Sequence, residues 1–380
     1  MRPRTSTDRI VKIVHVYKDF DPPILGGVER HIAMCCRYQR QWADVEAMTC
    51  SRTPWTRVEM RDGTRVLEVG EWGRFQSAPM APLYPWYLRR LKADVIVVHV
   101  PNPTAEISYL VAPPRARLVV RYHSDVVRQA AAMRFYGRIQ QAFLRRADVI
   151  IPTSQRYVET STTLQPVRDK CRIVPLGVLP EDFAKPKDSV LEGLHARYGG
   201  PFVLFSGIHR YYKGLEFLVR AAEAIRARVV IAGDGPERDR NEVLARELGV
   251  HIEFPGRLSH EELVAHLHAC DVFVFPSVER SEAFGISLLE AQACCKPAVA
   301  TQLGTGVEYV NLHGETGLNV PPRDPRALAE AVNALLADQG RRQAMGQRAH
   351  DRVVTEFHAE RVARAEFDLY EEVLRRGASA

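Results

Sequence analysis

Apolar residues in this chain gather mainly in short runs that occupy both alternating positions of an extended strand and end at turn residues. Four such runs mark the first half: "RIVKIVHVY" (9–17), "DVIVVHV" (94–100), "RLVVRYH" (117–123) and "DVIIPTS" (148–154). A strand apolar on both faces must be covered on both, as in a parallel sheet between layers of helix. Between the first two runs, Val28, Ile32, Cys35 and Cys36 recur at helical spacing and predict a helix opening near Val28. The stretch "PLGVLPEDFAKPKDSVLEG" (175–193) breaks the pattern with prolines and glycines and predicts a linker. The strand type then returns at "PFVLFSG" (201–207), "RVVIAG" (228–233), "HIEFPG" (251–256), "DVFVFPS" (271–277) and "KPAVAT" (296–301), with helical stretches between. Helices close the chain, the last from about Ala359 to Arg376. The expected fold is therefore two Rossmann-like doubly wound α/β domains, residues 1–180 and 181–357, facing each other across a cleft. A final helix, 358–380, is expected to pack back on the first domain. Open α/β sheets bind ligands beyond the carboxyl ends of their strands, so the chemistry belongs on the loops that follow strands.

Composition agrees with two domains, since 380 residues exceed what one hydrophobic core normally serves. No apolar run approaches the ~20 residues that cross a bilayer, and "MRPRTSTDRI" has no apolar signal core, so the chain is expected in the cytoplasm. Seven cysteines, with no C-x-x-C and no His-Cys spacing recognised as a ligand set, predict reduced thiols and no metal site. Charge adds an asymmetry: residues 1–185 hold 29 basic against 18 acidic side chains, and residues 186–380 hold 23 against 28. A basic first half is either an arginine-rich solvated surface or a face for something anionic, such as a membrane, a lipid pyrophosphate or nucleic acid. The segment "PWYLRRLKA" (85–93) interleaves Trp86, Tyr87, Leu88 and Leu91 with Arg89, Arg90 and Lys92. That composition suits an anionic membrane interface, and equally an amphipathic core helix with its cations in water. No nucleic-acid-binding motif accompanies the charge, so no nucleic-acid partner is expected.

Four loops carry candidate chemistry. In "SEAFGISLLEAQA" (281–293), Glu282 precedes a helix that opens near Gly285, and Glu290 lies inside it. The first turn of such a helix offers backbone N–H groups and the positive end of its dipole to a diphosphate, without a metal. Glu282 can then accept from sugar hydroxyls and Glu290 from a ribose diol; otherwise they are an acidic helix start and an exposed helix residue. In "FSGIHRYYKGLEFL", Arg210 and Lys213 sit on a loop leading into a helix near Gly214, placed to balance a diphosphate or simply to face water. In "DFDPPILGGVERHI", Gly26 and Gly27 precede a helix and allow close backbone approach, though the segment lacks G-x-G-x-x-G; Asp19 and Asp21 read as turn residues. In "RYHSDVVRQ", His123 follows a buried strand, where an imidazole can bond a sugar or shuttle a proton, or be a partly buried polar residue.

Taken in order, these segments resemble the retaining glycosyltransferases of family 4, which have the GT-B fold, over nearly the whole chain. Glu282 to Glu290 within "EAFGISLLEA" is similar to the family's E-x7-E motif, "GGVERH" to its first glycine-rich loop, and "SGIHRYYKG" to its basic loop. "AGDGPER" and "HGETGLNVPP" fit further family segments. The resemblance implies that Glu282 contacts the transferred sugar, that the backbone at Phe284, Gly285 and Ile286 holds sugar and phosphate, and that Glu290 binds the ribose. Arg210 and Lys213 would clamp the diphosphate, and His123 would approach the sugar from the first domain. Many members carry Arg after the glycine of the basic loop where this chain has Ile208, so Arg210 is the expected substitute. The implied reaction is transfer of a hexose, with retention and without a metal or cofactor, from a nucleotide-diphosphate sugar to a glycan or polyprenyl-linked acceptor. "YHSDVVRQ" and "GIHRYYKGL" look like members that use GDP-mannose or a related GDP-sugar. The alternative within this fold is an isomerase of the nucleotide-sugar 2-epimerase type.

Overall fold

The computed structural model describes residues 10–24, 26–75, 78–125 and 130–378. The amino-terminal nine residues, read above for a signal core and for the start of the first strand, and residues 126–129 of "YHSDVVRQ" lie outside them. The chain divides into two compact units, Met1–Pro175 with Ala359–Ala380, and Leu176–His358.

In the first unit, β1 (Lys12–Val16), α1 (Gly27–Gln39), β2 (Asp44–Cys50), β3 (Arg57–Arg61) and β4 (Thr64–Val69) open the fold. A small ribbon, β5 (Arg74–Phe75) and β6 (Ala78–Pro79), leads to α2 (Tyr84–Arg89). Then follow β7 (Val95–Val100), α3 (Pro103–Val111), β8 (Arg117–Tyr122), α4 (Ala130–Leu144), β9 (Val149–Ile151) and α5 (Gln155–Thr160). The sheet order is β3-β4-β2-β1-β7-β8-β9, parallel except for β3 at the edge. Alternation decides what each face buries. Ile13 of β1, Val95 and Val97 of β7, Val119 of β8 and Val149 and Ile151 of β9 share one core with Ile32 and Cys36 of α1. The last helix of the chain packs into that same core through Val362, Phe367, Tyr370 and Val373. Each such buried side chain contributes about 1.5–3 kcal/mol relative to exposure.

The second unit holds α6 (Asp188–Tyr198), β10 (Phe202–Ser206), α7 (Leu215–Ala221), β11 (Arg228–Ala232), α8 (Arg238–Glu247), β12 (Ile252–Gly256) and α9 (His260–Ala269). It continues through β13 (Val272–Phe275), α10 (Ile286–Ala293), β14 (Ala298–Thr301), α11 (Val307–Val310), β15 (Gly317–Val320), α12 (Pro325–Ala337) and α13 (Gln339–Glu356). After it comes α14 (Ala359–Ala378), which belongs to the first unit. The six strands pair in parallel in the order β12-β11-β10-β13-β14-β15. Phe202, Leu204, Phe273 and Phe275 fill one face with α9 and α10, while Val203, Phe205, Val272 and Val274 fill the other with α7 and α12. Because β10 neighbours both β11 and β13, the chain reverses direction across the sheet at the β10–β13 boundary. That is the switch point at which doubly wound sheets open a crevice.

The stretch 175–193 contains the division between the two units, at Pro175 and Leu176, and beyond that point it is packed. Leu176, Val178 and Phe183 are buried in the second unit's core, and α6 begins at Asp188. Its prolines punctuate a packed segment: Val178 N–H donates to Phe357 O at 2.9 Å, which ties it to the end of the second unit.

Candidate functional site

The switch point sets two loops side by side, and the candidate residues of the second unit lie on them. Val278 N–H donates to Tyr212 O at 2.8 Å, joining the loop after β13 to the loop after β10. Gly214, at φ +63, is where they meet: a Cβ there would lie 2.2 Å from Pro276 O. With the backbone held so closely, Lys213 Nζ reaches Glu282 Oε2 at 2.5 Å, across 69 residues of sequence. Ser277 Oγ donates to the same carboxylate oxygen at 3.0 Å. The Lys213 side chain is only 12% exposed. Burial alone would depress its pKa, but Glu282, Tyr212 and Glu290 outweigh that and raise it, so the ammonium stays charged.

The helix α10 starts immediately after this pair. Gly285 takes φ +91, and a Cβ would sit 3.0 Å from Leu288 Cδ1 and 3.2 Å from Phe275 Cζ, so the left-handed backbone and the tight packing both call for glycine. Phe284 is buried against Tyr309 and Phe357, which anchors the turn; Ile286 and Ser287 then present first-turn amides that have no carbonyl one turn back. Glu290 is 7% exposed, so it is not an exposed helix residue but part of the field at Lys213. Arg210 is exposed and, among the described residues, its side chain has no ion pair or hydrogen bond, so the loop holds one cation engaged and one in solvent. The neighbouring "AGDGPER" loop is stitched to this one: His209 N–H donates to Asp234 O at 2.9 Å, and Glu237 N–H donates to His209 O at 3.1 Å.

In the first unit, Gly26 caps α1 in an extended conformation, and the Glu29 carboxylate folds back over it; a Cβ on Gly26 would lie 2.2 Å from Glu29 Oε2. Burial raises the pKa of Glu29. The opening of α1 at Gly26 and Gly27 therefore already carries an acidic group at its amino end. Asp19 is engaged rather than available as a ligand: Arg74 NH1 and NH2 reach its two oxygens at 2.9 Å each.

His123 is 6% exposed and belongs to a buried polar track that sequence reasoning missed. Continuing the face that holds Val97 and Val119, the carboxyl ends of β7 and β8 place His99 beside Arg121 in register, with His123 just beyond. His99 Nδ1 lies 2.9 Å from His123 Nε2, and His15 Nδ1 lies 3.0 Å from His99 Nε2. From α14, Glu366 ion-pairs with buried Arg121 at 2.9 Å, and the same carboxylate oxygen lies 3.1 Å from His31 Nε2. Arg121 also donates to the carbonyls of Ile151, Val174 and Pro175. The available signal was the alternation 97, 99 and 119, 121, 123, which carries polar residues onto an apolar face.

His31, Cys35 and Glu366 gather their donor atoms within 4.8 Å, correcting the expectation that no His-Cys ligand spacing exists; His31 and Cys35 are one helical turn apart on α1. These residues do not fit a resident cation. Arg121 already neutralises Glu366 and donates to His31 Nε2, and burial pushes the Cys35 thiol far up, so the ligand atoms are spoken for. All seven cysteines are free thiols, as expected.

Two family models match: Glycosyl transferases group 1 over residues 192–352, and Glycosyl transferase 4-like domain over residues 26–177. The D-rhamnosyltransferase WbpZ of Pseudomonas aeruginosa is 34% identical over 346 residues, 90% of this chain and 91% of that protein. The O-antigen chain mannosyltransferase C of Escherichia coli is 33% identical over 370 residues, 96% of this chain and 99% of that protein. Among solved structures, sucrose-phosphate synthase from Thermosynechococcus elongatus superposes with a TM-score of 0.82 at 24% identity, covering 96% of this chain and all of that one.

Proposed function

This chain is a glycosyltransferase of group 1 with the GT-B fold of two Rossmann-like domains, and from that premise we propose that it moves a hexose from a nucleotide-diphosphate sugar to a glycan or polyprenyl-linked acceptor in cell-surface polysaccharide synthesis. The observation that carries the donor assignment is the Lys213–Glu282 pair at the switch point, with Glu290 acting on the same ammonium. Lys213 and Arg210 take the diphosphate, and the amides of Phe284, Gly285 and Ile286 take its oxygens and the sugar. Glu282, released from Lys213 as the phosphates arrive, accepts from the sugar hydroxyls. Glu290 holds the ribose, the Gly26–Gly27 backbone lies along the donor, and His123 is assigned a hydroxyl of the transferred sugar.

Fixed positive charge at the leaving diphosphate lowers the barrier where negative charge develops, so retention through an oxocarbenium-like sugar needs no strong base and no metal. A phosphate oxygen of the leaving group can take the acceptor's proton. We assign GDP-mannose or a related GDP-sugar as donor; the Escherichia coli relative is named for mannose transfer and the Pseudomonas aeruginosa relative for D-rhamnose transfer. Both relatives are named as transferases, and nothing in the site favours the 2-epimerase type of isomerase.

The decisive experiment titrates GDP-sugar and free GDP into the wild type, Glu290→Ala and Lys213→Ala. Loss of a charge-assisted hydrogen bond, about 1.5–3 kcal/mol, is expected to weaken the sugar nucleotide for both variants and free GDP for Lys213→Ala. Wild-type affinity in both would remove the donor site from these loops.

A further inference from the structure

The buried track in the first unit has a direction, and the direction can be read from its one end that is chemically unambiguous. Glu366 is a carboxylate: burial would raise its pKa, but Arg121 and His31 drive it far below the usual range. Its Oε2 accepts the Tyr370 hydroxyl at 3.0 Å. Gln39 points its Nε2 at the Ala363 carbonyl of the same helix, 3.4 Å away. A carbonyl can only accept, so the amide nitrogen faces α14 and the amide oxygen faces inward. That oxygen lies 2.9 Å from His15 Nε2, which must therefore carry a hydrogen.

Burial favours the neutral form of all three imidazoles. Burial lowers His15 to about 4 and pushes His99 and His123 well down, with Arg121 adding to it at the latter two. A neutral ring has one N–H and one lone pair. With Nε2 protonated, His15 offers a lone pair at Nδ1, so His99 Nε2, 3.0 Å away, is the donor. His99 Nδ1 is then an acceptor, and His123 Nε2, at 2.9 Å, is the donor to it. The last atom, His123 Nδ1, is left with its lone pair, buried, and without a partner among the described residues.

We propose that the Ala363 carbonyl, Gln39, His15 and His99 form a one-way hydrogen-bond relay that holds His123 as its Nε2–H tautomer, presenting Nδ1 as an acceptor for a substrate hydroxyl. Gln39 and His15 touch no reacting atom in this scheme; they are positioning residues. An acceptor-only atom selects a ligand hydroxyl that can donate and rejects a carbonyl or ether oxygen at the same place. The relay also gives α14 a part in the site: its Ala363 carbonyl sets the polarity that reaches His123 through three other side chains.

The sugar-binding half of this inference rests on the assignment of His123 in the proposed function; the tautomer half does not. Full-length protein labelled with 15N at histidine is observed by long-range proton–nitrogen correlation, with His123 assigned by its loss in His123→Ala. Wild-type His123 is expected to show a protonated Nε2 and an unprotonated Nδ1; a protonated Nδ1 overturns the relay without recourse to any variant. Gln39→Met removes the acceptor that starts the orientation and is expected to give mixed tautomers at His99 and His123. It should also lower kcat/KM for sugar transfer roughly three- to tenfold, the worth of one hydrogen bond. If Gln39→Met folds and keeps single tautomers with wild-type kcat/KM, the positioning role is wrong. A wild-type turnover in His123→Ala, with the tautomer as described, instead removes His123 from the sugar and leaves the relay standing.

Discussion

Glu106 shows what one buried carboxyl costs and how to measure it. It accepts from the Asn102 amide at 2.8 Å and the Tyr136 hydroxyl at 2.7 Å through Oε1, while Oε2 has no partner among the described residues. Burial is the larger influence and raises its pKa to about 7. An unfolded glutamate ionises near pH 4, so between there and about pH 7 the native state holds one proton more than the unfolded one. Stability from this group is therefore lost as pH rises through that window, by on the order of 3 kcal/mol in full. Glu106→Gln should gain urea resistance relative to wild type at pH 8 and not at pH 4.5. The residues of the proposed donor site were legible as types and spacing, since Glu282, Gly285 and Glu290 are local to one helix start. Their pairing was not: nothing near Lys213 in sequence announces that its ammonium ends on Glu282.

Elements explain why single glycines and one C-terminal helix matter. Gly214→Ala would force a side chain into a left-handed backbone and into Pro276 O, so it should destabilise by more than about 1 kcal/mol and weaken GDP binding by displacing Lys213. Thermal unfolding and a GDP titration on the same sample check both. For α14, Glu366→Ala removes the charge partner of Arg121, whose guanidinium is fully buried. An uncompensated buried charge costs about 3–5 kcal/mol, and the urea midpoint should fall accordingly while Asp368→Ala, at a half-exposed surface pair, changes little. Periodicity located α1, α7, α10 and α14 well, because an apolar stripe and a glycine at the end are local signals. It passed over β2, β3, β4 and β15, whose runs mix polar residues into strands near the sheet edges.

At the scale of the molecule, the basic first half acquires a surface to go with its charge. Trp55, Trp72, Phe75, Met80, Leu83 and Trp86 are all exposed between residues 55 and 86, near Arg89, Arg90 and Lys92 in sequence, and Arg90 stacks on Trp86 at 3.8 Å. Aromatic and cationic side chains together favour an anionic bilayer interface, and no described helix is long and apolar enough to cross one. From this patch we propose a peripheral role at an anionic membrane surface. Reversing Arg89, Arg90 and Lys92 to Glu should reduce binding to anionic vesicles and leave donor affinity unchanged; unaltered vesicle binding removes the membrane role. Transfer activity should persist in EDTA, and a thermal-shift panel of GDP, UDP, ADP and dTDP sugars should show its largest stabilisation with the GDP-sugar.

Local order was settled by neighbours in the chain: strand type by apolar runs, helix starts by Gly214 and Gly285, the two-domain repeat by the return of the pattern after residue 200. Those features depend on a few consecutive residues, so they survive being read in one dimension. Strand order, and everything it juxtaposes, came only with the folded chain. Placing β10 beside β13 brings Lys213 to Glu282, and placing β1 beside β7 under α1 and α14 lines up His15, His99 and His123 with Gln39 and Glu366. Such contacts between distant segments are chosen by which faces pack together, a property of the assembled core that no short window of sequence contains.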